Sequence, residues 1–431
     1  MKIFHYFLSI FFITTLPFLQ EQLCVQASSH SVEDSTILVE NVKRLRSEYK
    51  NKTTCDKIFA FPGKVIYFPF KIIFLGVRET IVFVDESKII PRVQDFLVSD
   101  DGKRTAQPTY VSRIGLGIKY RQYQILNPES RIAALAMFGL YQRQKYAIGL
   151  ERVSLKGKIL FTNIGMQYNK LTTESFYGIG PDTKKEDRTN YTRERVAANV
   201  ALGFYLNKKT TLETFVGFEL NNILAGKNKN YPSTDEIYDN ETLAGLDTKV
   251  KLSNLEFKFS YDSRNRIGNP SSGWEIRTAT SFFQQIEGKQ YGFSKFYLDV
   301  SHYIHLFYNR ILKLRMGSEI TEPFPDKEIP FYYLSELGED ISFRGFDRGR
   351  FRDNDLILGT AEFRFPVSRM LEGMFFSDVG KVAHNLFRDF TFRNLQITFG
   401  GGLRLVSPDG SVTKLEIGKS QDGFLVKFTL N

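Results

Sequence analysis

From about Thr109 to the C-terminus the chain alternates apolar and polar residues with period two, in segments of 9 to 12 residues. In one segment Leu255, Phe257, Phe259 and Tyr261 share a face, and Glu256, Lys258, Ser260 and Asp262 take the other. Further along, Ile357, Gly359, Ala361, Phe363 and Phe365 oppose Leu358, Thr360, Glu362 and Arg364. Ile397, Phe399, Gly401, Leu403 and Leu405 oppose Thr398, Gly400, Gly402 and Arg404. The last segment sets Phe424, Val426, Phe428 and Leu430 against Leu425, Lys427 and Thr429. Successive side chains of a strand point to opposite faces, so every segment has one oily and one charged surface. A soluble sandwich turns the oily surface to a core, whereas a membrane barrel turns it to lipid and lines its lumen with the charge.

Three features select the barrel. The segments have the length of strands that cross a bilayer at a tilt. Short turns such as Ser407-Pro408-Asp409-Gly410 alternate with long polar loops, 222–250 and 323–354 among them, as at the periplasmic and outer ends of a barrel. The chain also reads as exported, and a closed barrel is the strand structure that satisfies its backbone in lipid. About fifteen segments can be counted, and bacterial single-chain barrels have even strand numbers. The expectation is therefore an all-β fold: a closed, antiparallel transmembrane β-barrel of about 16 strands over residues 108–431. The uncounted strand falls between Thr109 and Leu140 or within 170–195.

Two segments of different character precede it. Lys2, the apolar run Ile3–Phe18 and Val25-Gln26-Ala27 supply the positive start, short apolar core and small-residue cut of a secretory signal peptide over 1–27. The run contains Pro17 and is shorter than the roughly 20 residues of a spanning helix. Residues 28–107 read as a short periplasmic or interfacial lead-in. Val39, Val42 and Leu45 have helical spacing there, and the apolar-rich stretch Val65–Val77 is broken by Pro69 and Lys71.

Composition narrows the chemistry. Cleavage after Ala27 leaves Cys55 as the one cysteine, hence no intramolecular disulfide. The 58 basic and 48 acidic residues give a net charge of +10, but they are mixed along the chain without a basic tail. That charge reads as lumen lining, loops and head-group contact, with no nucleic-acid partner expected. His30, His302, His305 and His384 fall in no metal-ligand spacing, and one cysteine cannot build a zinc site. His302 and His305 flank a predicted turn at Leu306–Asn309, where an interfacial aromatic cluster is the ordinary reading. No phosphate-cradling loop and no Ser-His-carboxylate motif stands out. No catalytic residue, metal or cofactor is expected, and the protein is not expected to be an enzyme. In the loop 323–354, Arg348, Arg350 and Arg352 alternate with Asp347, Asp353 and Asp355, which on charge alone is a solvated loop.

One motif of that loop departs from this bland pattern. Leu337-Gly338-Glu339-Asp340-Ile341-Ser342-Phe343-Arg344-Gly345-Phe346 resembles the Arg-Gly-Phe/Tyr tip of the sixth outer loop in the BamA/TamA surface-antigen family, the outer-membrane assembly-factor barrels. In family order follow Phe363-Arg364-Phe365-Pro366-Val367, then Phe376-Ser377-Asp378-Val379-Gly380, similar to the family's Phe-x-Asp-x-Gly strand, then Gly402-Leu403-Arg404. Upstream, Asp262-Ser263-Arg264 with Pro270-Ser271-Ser272-Gly273 is similar to the family's mid-barrel turn, and Phe176-Tyr177-Gly178-Ile179-Gly180 also fits. The resemblance implies that the loop tip Arg344-Gly345-Phe346 folds into the lumen and that Arg344 pairs with Asp378, beside Gly380. A guanidinium in a polar pore calls for a carboxylate and can take a bidentate one. Alternation places Arg404 on the same polar face as a further lumen candidate.

The resemblance also implies a bacterial outer-membrane protein that aids insertion or translocation of polypeptides. Its partners would be outer-membrane lipids and unfolded outer-membrane or secreted chains. The alternative is a passive pore or structural surface-antigen barrel. Assembly factors of the family carry POTRA repeats of about 75 residues each; residues 28–107 do not read as one, so the chain is most similar to the POTRA-poor branch. The C-terminus, Phe428-Thr429-Leu430-Asn431, does not end on the family's aromatic. For the barrel wall, Leu255, Phe257, Phe259, Phe363, Phe365, Phe424 and Phe428 are expected to face lipid. On that assignment Phe363→Arg is costly and Glu362→Gln costs little.

Overall fold

Sixteen strands join into one antiparallel sheet in chain order. The computed structural model describes residue 99 and residues 101–429, apart from 112, 157–158, 247, 339–342, 369, 389–390 and 407–411. The signal segment, nearly all of the lead-in and the turn Ser407–Gly410 lie outside the described residues. The first half of the sheet consists of β1 (Arg104–Val111), β2 (Gly115–Tyr123), β3 (Arg131–Phe138), β4 (Gln144–Lys156), β5 (Leu160–Phe176), β6 (Thr189–Asn207), β7 (Thr210–Ala225) and β8 (Lys249–Asp262). It continues with β9 (Gly273–Gln285), β10 (Gly292–His305) and β11 (Ile311–Pro323). A small hairpin, β12 (Ser335–Leu337) with β13 (Phe351–Asp353), sits inside the loop that follows. The sheet resumes with β14 (Asp355–Pro366), β15 (Leu371–Ala383), β16 (Gln396–Val406), β17 (Val412–Ser420) and β18 (Gly423–Thr429). The strand count matches the expected sixteen, with three strands between Arg104 and Phe138. β1 begins at Arg104, ahead of the boundary read at residue 108.

The expected closure is where the structure differs. β1 and β18 are the two ends of the sheet, and no ladder joins them among the described residues. Both edges are short, 8 residues in β1 and 7 in β18, while β5 to β7 run to 17, 19 and 16. β1 also contains Pro108, which has no N–H to donate, the kind of residue that sheets confine to their edges. Edges this short offer few ladder bonds to a pairing strand.

The two faces follow the alternation. Leu255, Phe257, Phe424, Val426 and Phe428 are exposed on the outer wall. Phe363 and Phe365 are half-covered there, because Phe365 stacks on Phe375 at 5.5 Å and on Phe363 at 6.2 Å. Phe259 is also half-covered. On the inner side Leu356, Leu358, Thr360, Glu362 and Arg364 of β14 are all buried, though no soluble core lies behind them. The loop between β11 and β14 packs over Leu356 and Leu358 and sends Arg344 to Glu362, while Pro270 of the turn before β9 meets Arg364. Leu337, Phe343, Phe346 and Phe351 from the loop pack with Leu356, Leu358 and Val382 of the wall. Nearby, Phe331, Tyr332 and Leu334 pack with Phe176, Tyr191 and Ile223, and with Leu243 and Leu246 from the loop between β7 and β8. Loops occupy the lumen against β5 to β7 and against β14 and β15.

Candidate functional site

Arg344 is at the centre of that filling, 5% exposed although it lies in a loop between two strands. Its Nε donates to Asp378 Oδ2 at 2.9 Å and its Nη2 to Asp378 Oδ1 at 2.7 Å, a fork-on-fork pair. The backbone N–H of Arg344 donates to the same Oδ2 at 3.1 Å. Nη1 reaches two further carboxylates, Glu362 Oε2 at 2.8 Å and Glu416 Oε1 at 3.1 Å. The guanidinium also lies over the ring of Phe376, 3.6 Å from its centroid. Burial alone would pull the Arg344 pKa down, but the bonds to Asp378 and the fields of Glu362 and Glu416 raise it instead. The tip is therefore held by a permanent charge.

Local chemistry explains how the chain comes so close to the wall. Gly345 has φ +88°, and its backbone lies against Gly418 of β17, where an added Cβ would sit 2.8 Å from the Gly345 nitrogen. Two facing glycines let the tip lie on the strand, and the Ser420 hydroxyl donates to the Gly345 carbonyl at 2.5 Å. Phe346 stacks on Phe343 at 5.2 Å, and Gly380 leaves room for Leu337, with an added Cβ only 3.0 Å from that side chain.

The loop arginines read as solvated are not so. Arg350 and Arg352 are 2% and 1% exposed, because the inward fold of the loop presses them against partners on other loops and strands. Arg350 Nε donates to Asp422 Oδ2 at 2.6 Å and its Nη2 to the Thr183 carbonyl at 2.8 Å. Arg352 pairs with Glu336 across the small hairpin and reaches the Tyr191 hydroxyl at 3.3 Å. Burial pushes the Glu336 carboxyl up, but Arg352, then Arg348, Arg113 and Arg193, outweigh it and hold it at about 2. The Gly180 N–H donates to the Arg352 carbonyl at 2.7 Å, so the Phe176–Gly180 motif grips the same loop.

The other sequence candidates converge at the opposite end. Arg404 shares the inner face with Asp378 but pairs with Glu372, and its Nη2 donates to Asn269 Oδ1 at 2.9 Å. Asn269 belongs to the turn between β8 and β9, whose base is tied by Arg264 to Asp262 at 2.6 Å and to Glu275 at 3.0 Å. Pro270 of that turn is buried, and its carbonyl accepts from Arg364 Nη1 at 3.3 Å. Arg364 Nε in turn donates to Glu362 Oε1 at 2.7 Å. Glu362, taken from the sequence as replaceable by Gln at little cost, is 4% exposed and bonded to two arginines; that expectation is corrected. The signal was available: Glu362 and Arg364, two residues apart on a strand, share a face. His302, at the interface of β10, stacks on Trp274 at 3.8 Å, an aromatic pair. Among the described residues no group of His, Cys, Asp and Glu is placed to hold a metal ion.

None of the curated protein sequences compared matches the chain. Among solved structures, BamA from Haemophilus ducreyi lacking POTRA domains 1–3 is similar at a TM-score of 0.56 and 14% identity, over 76% of this chain and 69% of that one. CdiB from Acinetobacter baumannii gives 0.47 at 11% identity, over 75% of this chain and 58% of that one. The Omp85 superfamily domain matches residues 136–418, well over half of the sequence, and the chain belongs to that superfamily.

Proposed function

We propose that this barrel aids the insertion or translocation of polypeptides at a bacterial outer membrane, without enzymatic chemistry. The observation that carries the reading is the seam between β1 and β18, which no ladder closes among the described residues. These two strands are the ends of the sheet among the described residues, and a sheet edge is a template for an incoming strand. Its partners are outer-membrane lipids around the wall and unfolded outer-membrane or secreted chains at the seam. Along β2 to β7 a cavity of about 610 Å³ remains open, lined by Lys119, Arg131, Lys145 and Gln167 among others. The loops packed in the lumen suit a device that opens on demand better than a standing pore.

The test is a client-insertion assay in liposomes holding the purified full chain, read by heat-modifiable migration of an unfolded outer-membrane client. A disulfide engineered between β1 and β18 is expected to abolish client insertion while leaving the barrel folded, with reduction restoring it. Equal insertion with the seam locked, or none in either state, defeats the reading and leaves a passive or structural barrel.

A further inference from the structure

The turn between β8 and β9 carries a feature that a simple connection does not need. Two of its ten residues, Asn269 and Pro270, leave their own strands and reach β14, β15 and β16, which lie three to five places further along the sheet. Asn269 accepts from Arg404 at 2.9 Å and donates from Nδ2 to Glu372 Oε1 at 3.1 Å. The Pro270 carbonyl accepts from Arg364 at 3.3 Å. The turn is built stiffly: Asn265 Oδ1 accepts from the Ser271 and Ser272 N–H groups at 3.0 and 3.2 Å, and its Nδ2 donates to the Ser271 hydroxyl at 2.8 Å. Gly273 closes it at φ +106°, where a Cβ would meet the Ser263 carbonyl at 2.4 Å. Between this rigid arm and the loop tip stands one side chain pair. Glu362 gives one oxygen to Arg364 at 2.7 Å and the other to Arg344 at 2.8 Å.

We infer that the turn is a second latch at the short-turn mouth of the barrel, coupled to the loop-tip lock through Glu362 and Arg364. Withdrawal of Asn269 and Pro270 leaves Arg364 with Glu362 as its remaining partner in the network. Glu362 then rotates toward Arg364 and loosens its hold on Arg344. In reverse, release of Arg344 frees Glu362 to draw Arg364 off the turn. A coupling free energy between two sites is reciprocal, so release of either latch weakens the other by the same factor. The exposed tip of the turn, with Arg266 and Ile267, is the handle that this arrangement presents outside the mouth.

Limited trypsin digestion of the folded full chain in detergent, with cleavage sites read by mass spectrometry, tests the coupling. Asn269→Ala is expected to speed cleavage after Arg266 locally, and also after Arg348 and Arg350 in the distant loop by about tenfold. Arg344→Ala is expected to speed cleavage after Arg266 by the same factor. Ile267→Ser, on the exposed tip, is expected to change neither. Arg364→Lys keeps a cation beside Glu362 but gives up the reach to Pro270; it serves if Asn269→Ala does not fold, with the same expected pattern. Faster cleavage confined to the end that carries the substitution, in either variant, overturns the coupling.

Discussion

Arg344→Ala is expected to free the loop tip, raise single-channel conductance and expose the loop to protease. The change removes the only guanidinium that Asp378, Glu362 and Glu416 share in this cluster, leaving three carboxylates crowded on the inner wall of β14, β15 and β17. Stripping one partner from a buried pair typically costs about 3–5 kcal/mol, because the remaining charge is uncompensated. The loop tip then has no side-chain cation to hold it to the wall, while Glu362 keeps Arg364. Asp378→Ala takes away two of the four side-chain bonds to Arg344 and its backbone anchor, but Glu362 and Glu416 still hold the cation, so its effect is in the same direction and smaller. The double variant should be no worse than Arg344→Ala alone, the non-additive result of a direct partnership. Arg344→Lys should not rescue, since a point cation cannot meet a fork and two further carboxylates together. Parent-like conductance and protease resistance in both single variants would show that the pairing does not hold the plug.

The wall was legible in the sequence because its rule is local. A strand needs only its own period of two to declare which side chains face out, and the exposure of Phe257, Phe424 and Val426 follows from that alone. Closure was not legible, because it depends on whether two strands at opposite ends of the chain pair. The relevant facts, a proline in β1 and seven residues in β18, are small beside the long middle strands. The approach of Arg344 to Asp378 was anticipated only through family resemblance; loop charge alone pointed to solvent. The same solvent reading failed for Arg350 and Arg352, since a loop of mixed charge looks identical in sequence whether it lies in water or folds into a lumen lined with acids. Least visible was the meeting of Asn269 with Arg404, 135 residues apart. Each half sat in a recognisable motif, but nothing in either motif says that the turn crosses the barrel mouth.

The sharpest conflict between pattern and structure concerns two neighbours on β14, and it yields the second large effect. Phe363→Arg places a charge on the outer wall and is expected to destabilise the folded barrel by about 2–4 kcal/mol, depending on its depth in the bilayer. Alternation by itself predicts that Glu362→Gln, on the polar side, costs almost nothing. The contacts predict otherwise. Glu362 receives Arg344 and Arg364 on separate oxygens, and lies opposite Lys313 on β11. The neutral amide keeps one acceptor oxygen and turns an NH2 donor toward a guanidinium that can only donate. One of the two arginines therefore loses its bond and its counter-charge in a place where water does not easily replace them, a loss of about 3–5 kcal/mol. Glu362→Asp keeps the charge, shortens the reach and should fall between parent and Gln. A urea refolding titration in lipid vesicles ranks all three against Phe363→Arg. A Glu362→Gln barrel within about 1 kcal/mol of the parent would mean that the lumen side of β14 is wet enough to screen the pair, and that Asp378 and Glu416 suffice to hold Arg344.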